Sequence, residues 1–400
     1  MNLERARARP SGHAVFFLVA GMAYLLLVAG GIFPFAQDDV VKALIKAALL
    51  GASVFYLLLF GVQRSVVIPV GVFMFVGLFI GFSALWRTEN LGFAVEKIDG
   101  AVLCPAIVAM LFHRASLELG EDDFRVLFIA FSCAVLVLTV AYKFQFGFFE
   151  RDVRFFLNGP IVYGWLMGLC GVLSFHLWRA RRRIFFLVLF LCFVAALIWT
   201  ESKGSIFAFG AAISFYFVFS FRRNLKFSIA VVAAAGVFYF FFLDGFVDAL
   251  NDSRLSAIGR IFSGELAEAD DGSVGTRLVL VDLAIQNFKD NPLFGIGLGQ
   301  FSFNEYVYPH NQHVELFAEL GVFVGIAHVF FVLASFYRAR LVNKSIILLF
   351  AMAASSSGDA SYLRFLYTFC LLSFAPLEPQ DVAASWPSRI RRALRPAGSA

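Results

Sequence analysis

The chain has 400 residues, of which 60% belong to the set Ala, Val, Ile, Leu, Met, Phe, Trp, Tyr and Cys and only 15% are charged, with a mean hydropathy of +0.81. A soluble globular protein is excluded by that composition. The net charge of +5, from 33 Lys+Arg against 28 Asp+Glu, would suit nucleic acid in a soluble chain. In so apolar a chain basic residues are read first by membrane side, and no nucleic-acid partner is expected.

A membrane-crossing helix takes about 20 apolar residues, so twelve of them use roughly 240 positions, close to the apolar fraction. A β-barrel would show short alternating strands instead of long apolar blocks such as 184–200. In chain order the apolar stretches read as spans at 14–35, 43–62, 66–86, 93–112, 124–148, 160–178, 184–200, 204–221, 227–243, 313–336, 345–357 and 362–376. The expectation is an all-α polytopic membrane protein of about 12 transmembrane helices, within a range of 10–12, filling residues 1–400 as one transmembrane domain. Span 93–112 carries Glu96, Lys97 and Asp99 ahead of its apolar stretch, and span 345–357 runs into Ser355-Ser356-Ser357-Gly358-Asp359. Both are read as short, tilted or broken. Met1–Arg9 is basic, but 14–35 is long enough to cross and no small-x-small cleavage site follows, so it reads as a retained first helix.

With the N-terminus placed in the cytoplasm, 20 of the 33 basic residues fall on that side, among them Arg179, Arg181–Arg183, Arg222, Arg223, Arg338 and Arg340. The positive-inside bias then puts both termini in the cytoplasm, with 377–400 a basic cytoplasmic tail. Outer basic residues such as Arg87, Arg154, Lys203 and Arg277 go against that bias, which raises the question of what each does. The five cysteines lie in or beside apolar stretches, so neither a disulfide framework nor a CxxC site is expected.

The longest polar stretch, 244–312, lies between the ninth and tenth spans and is read as one long periplasmic loop. Its 254–272 part is rich in Gly, Asp, Glu and Ser, whereas 276–290 places Leu278, Val281, Ile285 and Phe288 at helical spacing, with Ser273 or Thr276 as N-cap and Asn291-Pro292 as stop. Gly295-Ile-Gly-Leu-Gly299 has no following GK[ST] and no βαβ context, so it reads as a tight turn packed against the membrane surface.

Four segments carry a resemblance. Thr200-Glu-Ser-Lys-Gly204, Ser273-Val-Gly-Thr-Arg277, Asn291-Pro-Leu-Phe-Gly-Ile-Gly-Leu-Gly299 and Pro309-His-Asn-Gln-His-Val-Glu-Leu-Phe-Ala-Glu-Leu-Gly321 together look like the signature region of the bacterial O-antigen ligase and polymerase superfamily. Two departures stand out. Lys203 occupies the place where the family usually has arginine, keeping the charge without the planar fork. In the ligase pattern that starts at His310 and Asn311, Val324 stands at the last position and Gly325 one later.

The resemblance implies a metal-independent, cofactor-free, inverting glycosyltransferase of the bacterial inner membrane. It would move an oligosaccharide or polysaccharide from a polyprenyl-pyrophosphate carrier to an acceptor hydroxyl at the periplasmic face. The O-antigen ligase form of that reaction, with lipid A-core as acceptor, is favoured over an O-antigen or exopolysaccharide polymerase that extends a carrier-linked glycan. Membrane lipids are the other expected partners.

The residue types fit that chemistry. Charge develops on the pyrophosphate as the glycosidic C–O bond breaks, so fixed cations lower the barrier, and Arg277 and Lys203 are the candidates. His310 can take the acceptor's proton. Asn311 can hydrogen-bond sugar or phosphate, Glu315 can orient an imidazole, and Arg154, in Arg154-Phe-Phe-Leu-Asn-Gly-Pro160, can contact phosphate. The expected catalytic residues are therefore His310 and Arg277, and the expected substrate-binding residues Lys203, Arg154, Asn311 and Glu315. Glu319 lies one turn below Glu315 and needs a partner or a cavity inside a membrane. A metal site at His310, His313 and Glu315 has no HExxH-like arrangement or clear third ligand and is not favoured. Tyr306 and Tyr308 are the better aromatic candidates for stacking on a sugar or for seating at the membrane interface. The competing class, a transporter of lipid-linked oligosaccharides, would show repeats with paired broken helices. None is seen in the sequence.

Overall fold

Without water to bond with, backbone N–H and C=O groups must pair inside their own segment, and in so apolar a chain that favours helix. The structure, a computed structural model, describes residues 12–27, 39–148, 155, 159–221, 272–305 and 308–375. Among the described residues the regular elements are all helical. In chain order they are α1 (Gly12–Leu27), α2 (Asp39–Phe60), α3 (Arg64–Ala84), α4 (Leu91–Ile98), α5 (Cys104–Leu119), α6 (Glu121–Phe146), α7 (Pro160–Arg181), α8 (Ile184–Trp199) and α9 (Lys203–Phe221). After the stretch outside the described residues come α10 (Gly272–Asp290), α11 (Gln300–Glu305), α12 (Gln312–Arg338), α13 (Leu341–Ala354) and α14 (Leu363–Ser373).

Among the described residues five helices are long and apolar enough to cross a membrane: Arg64–Arg87, Glu121–Phe146, Pro160–Arg181, Lys203–Ser220 and Gln312–Arg338. Shorter apolar helices at Gly12–Leu26, Leu44–Phe60, Ile184–Trp199 and Leu341–Ala354 accompany them. The span read at 227–243, most of the loop before 272, and the tail at 377–400 lie outside the described residues.

Span 93–112 is broken. Helix α4 passes through a π-helical turn at Asp99–Leu103 into α5. Pro105 gives the reason, because its ring has no N–H and presses on the carbonyl four residues back, which the wider π turn relieves. Span 345–357 ends as helix at Ala354, and after a short loop α14 runs for only 11 residues, roughly 16 Å, too short to cross on its own. Helix α10 starts at Gly272, so Ser273 and Thr276 lie inside it and neither is its N-cap.

Helix α7 forms the centre, packed by α8, α9 and α13. Its glycines let α9 approach closely: a Cβ on Gly164 would stand 2.9 Å from the Ser205 Cβ, and one on Gly171 2.9 Å from the Phe209 ring. Small residues at a membrane-helix interface serve this purpose. At the end away from Gln312, charged side chains tie the helices together. Arg181 donates to Asp123 at 2.9 Å, Arg340 to Glu121 at 2.7 Å, and Arg125 bonds both Glu121 and Asp122. The acidic first turn of α6 (Glu121, Asp122, Asp123) also complements its helix dipole.

Replacing Gly164 with leucine is expected to force α7 and α9 apart and to destabilise the fold by about 1–3 kcal/mol, the usual cost of overpacking. A lower melting temperature in detergent is the check, with Gly210→Leu, where an added Cβ meets nothing within 4 Å, as the unaffected control.

Candidate active site

Helix α12 begins at a sharp corner. His310 has φ 57°, in the left-handed region, and Asn311 caps the helix, its side-chain oxygen accepting the Val314 N–H at 3.2 Å. Three turns on, the helix is interrupted at Gly321 (φ 80°, ψ −176°). A break of this kind frees backbone groups, and the segment after α10 takes them up. The N–H of Ile296 donates to the Ala318 carbonyl and that of Gly297 to the Glu319 carbonyl, both at 3.0 Å, while the Val322 N–H finds the Pro292 carbonyl at 2.8 Å. The approach is so close that a Cβ at Gly321 would collide with the backbone of Leu293 and Phe294, and one at Gly295 with that of Glu319. The Gly295–Gly299 segment is thus a tight turn, docked on α12.

Side chains hold the turn from two further sides. Arg87 donates to the Gly295 carbonyl at 3.0 Å and lies over the rings of Trp86 and Phe294, and Thr88 donates to the Leu298 carbonyl at 2.7 Å. From α12, the Glu319 carboxylate accepts the N–H groups of Gly299 at 2.9 Å and Phe301 at 3.1 Å. Lys97 of α4 reaches both acids of this helix, its ammonium 2.6 Å from Glu315 and 2.6 Å from Glu319, with all three side chains buried. Beside Lys97 lies an apolar cavity of about 430 Å³, bordered by Leu298, Ala360, His328 and Tyr367.

The remaining pieces meet at the loop between α13 and α14. Arg277 donates to the Ser356 carbonyl at 3.2 Å, and Gln312 to the Ser357 carbonyl at 2.7 Å. Gly204, at the start of α9, lies against Ser356, so close that a Cβ there would stand 3.0 Å from the serine Cβ. Lys203 is half-buried in the same first turn. Asp359 closes this loop by accepting from the Ser361 N–H at 2.9 Å.

His310 sits beside this junction, its ring centroid 4.4 Å from that of Tyr308. Its Nδ1 is buried and makes no hydrogen bond among the described residues. Burial, with the Arg277 guanidinium adding to it, lowers the imidazole to about 4 from its ordinary 6.5. The Tyr308 phenol is pushed up, first by burial and then by the Asp359 carboxylate, against the pull of Arg277. The site therefore offers a neutral imidazole next to a fixed cation, which is the state a proton acceptor needs.

The structure brings His310, Arg277, Lys203, Asn311 and Glu315 to one region, with two changes of role. Glu315 meets Lys97 and not an imidazole. Asn311 commits its side-chain oxygen to capping α12. Arg154 and Tyr306 lie outside the described residues. His313 does not pair with His310 around a metal. Its Nε2 donates to the Ala351 carbonyl at 2.9 Å, leaving Nδ1 to accept from His328 at 2.7 Å, and His328 in turn accepts from the Tyr367 hydroxyl at 2.7 Å. Among the described residues no three His, Cys, Asp or Glu side chains form a metal-binding group.

Residues 187–329 match the family model described as O-antigen ligase. This segment is similar to the O-antigen ligase superfamily. The family consists of membrane glycosyltransferase-type enzymes. The matched stretch holds Lys203, Arg277, the glycine turn, His310 and the first half of α12, whereas Arg87, Lys97, Ser356 and Asp359 lie outside it. No curated protein matches the chain. These four residues went unassigned in the sequence. The signals were present: a lysine inside an apolar span, two glutamates one turn apart, and a serine-rich break in a late helix.

Two outcomes follow from this geometry. With its imidazole lowered to about 4, His310 is neutral from about pH 5.5 upward, so kcat/KM for glycan transfer should stay flat down to that pH with an acid limb near 4. In Arg277→Met the residual activity should show that limb moved up toward 6.5, and a wild-type limb already at 6.5 would contradict the assignment. Gly321→Ala should abolish transfer, since it adds left-handed strain of roughly 1–2 kcal/mol to a backbone collision and expels the glycine turn. Transfer measured at matched protein levels tests it.

Proposed function

We propose that the protein transfers a glycan from a polyprenyl-pyrophosphate carrier to an acceptor hydroxyl at the outer face of the bacterial inner membrane. The favoured reaction is that of an O-antigen ligase, with lipid A-core as acceptor. The observation that carries this reading is the junction at Ser356 and Ser357, where the first turn of α9, Arg277 of α10 and Gln312 of α12 converge beside His310. Segments more than 150 residues apart, Lys203 and Ser356, come together there around a cation and a neutral imidazole.

In this reading the acceptor oxygen attacks the anomeric carbon and its proton passes to His310, whose Nδ1 makes no hydrogen bond among the described residues. The new C–O bond forms as the sugar–pyrophosphate C–O bond breaks, and the electron pair leaves on the carrier pyrophosphate. Arg277 and Lys203 stabilise the charge that grows there, more in the transition state than in the bound substrate. Displacement in one step inverts the anomeric centre. No metal is required, because two fixed cations perform the electrostatic role. About twelve spans, cytoplasmic termini and a periplasmic loop at 244–312 complete the arrangement and place the site at the outer surface, where the donor and the core acceptor are both exposed.

The test is transfer by the purified full chain in lipid nanodiscs, given a polyprenyl-pyrophosphate oligosaccharide with and without lipid A-core. Glycan joined to core, and reduced at least 100-fold in His310→Ala and Arg277→Ala, is the expected result, in line with the usual contributions of general acid–base and electrostatic groups. Carrier-linked ladders growing without core would make the protein a polymerase using the same groups. Movement of the donor across the bilayer with no transfer to any acceptor would replace the enzyme with a transporter.

A further inference from the structure

Lys97 stands outside the matched family segment and is itself assigned to neither donor nor acceptor, yet it is among the most completely buried charges among the described residues, at 2% exposure. Its ammonium joins α4 to two successive turns of α12, 2.6 Å from each carboxylate. One of those carboxylates, Glu319, also receives the N–H groups of Gly299 and Phe301. The other, Glu315, stands on the first turn of α12, where its own N–H is bonded to the Asn311 carbonyl at 3.0 Å, one residue from His310. We propose that Lys97 is a positioning residue for glycan transfer: by holding Glu315 and Glu319 together it fixes the glycine turn and the His310 corner relative to each other.

The physical basis is conditional anchoring. A carboxylate buried without a counter-charge is strongly destabilised, so it takes up a proton or turns away. In either case it ceases to be a charged acceptor for two backbone amides. Glu319 can therefore clamp the turn only while Lys97 faces it. The same ammonium pins Glu315, so one side chain sets both the base-bearing corner and the turn beneath it. Misplacement of a reacting group by about 1 Å costs on the order of 100-fold in rate. The donor-binding cations Arg277 and Lys203 are held by other contacts and keep their places.

The inference rests on the glycosyl-transfer reading, and its test carries one readout that does not. Full-length protein in nanodiscs is compared as wild type, Lys97→Met, and the neutral triple variant Lys97→Met, Glu315→Gln, Glu319→Gln, which leaves no unpaired buried charge and so guards against a misfolded single variant. Transfer kinetics should show kcat reduced by about 10- to 100-fold in both variants with the donor KM within about twofold of wild type. Hydrogen exchange should show peptides covering Gly299 and Phe301 losing protection while α7 keeps it. A triple variant that transfers at the wild-type rate, unchanged exchange over the turn, or protection lost equally in α7 overturns the proposal. If wild type itself transfers glycan to no acceptor, the functional reading fails, and exchange over the turn alone decides whether Lys97 positions it.

Discussion

Lys97 brings a positive charge into buried surroundings, and two carboxylates at 2.6 Å answer it. Such a group is costly alone and tolerable only when paired and hydrogen-bonded. The arrangement of the polar half of the molecule follows from that requirement. Meeting it draws the α4 segment against α12, and the carboxylate that results serves as the acceptor for an irregular turn that would otherwise have exposed N–H groups to an apolar interior. Neighbouring charges obey the same rule: Asp99 accepts from the Tyr24 hydroxyl at 2.8 Å, and the wholly buried Arg364 donates to the carbonyls of Leu25 and Ser361 and lies over the Tyr362 ring. The π turn at Asp99–Leu103 sits among these contacts, where a side-chain network supports a break in regular helix.

The cations on the side of Gln312 divide by what they touch. Arg87 spends its guanidinium on the Gly295 carbonyl and two aromatic rings, which accounts for it structurally. Arg277 differs. Among the described residues its one hydrogen bond is to the Ser356 carbonyl, and it adds to burial in lowering the His310 imidazole. A guanidinium has five N–H donors, and one backbone carbonyl uses a small part of that capacity. Arg277 is therefore suited to an anionic ligand in a way that Arg87 is not, and the same contrast supports the proposal that the reaction takes place at the junction at Ser356, beside the glycine turn.

Much of this was legible in the sequence because apolar runs of helical length have few alternatives in a membrane. Helices α3, α6, α7, α9 and α12 agree with the spans read from hydropathy to within a few residues at each end. The charges of span 93–112 and the serine-rich end of span 345–357 correctly marked breaks. What those breaks were for was not legible. The partner of Lys97 lies 218 residues away at Glu315, and Ser356 meets Arg277 across 79 residues. Neither separation leaves a local pattern. Glu315 was assigned to an imidazole because they share a short stretch of chain, and the structure gives it instead to a lysine that no motif contains. The N-cap of α10 was misplaced for a different reason: Ser273 and Thr276 are good caps by type, but the helix already includes them.

The pair His310-Asn311 shows how one short motif carries two kinds of information. A left-handed residue immediately before an N-cap turns the chain sharply into α12, and histidine and asparagine adopt that conformation more readily than most residues, while asparagine is among the best N-caps. Geometry alone would thus favour polar residues here, whatever the chemistry. The imidazole goes beyond that structural demand. Among the described residues its Nδ1 is buried without a partner, and burial, with the Arg277 guanidinium adding to it, keeps the ring neutral; a residue needed only for the corner would gain nothing from either feature. Asparagine at 311 has its structural role in hand, so its loss reads first on the start of α12. Loss of the histidine, replaced by a residue that tolerates the same corner such as asparagine, reads on the proton.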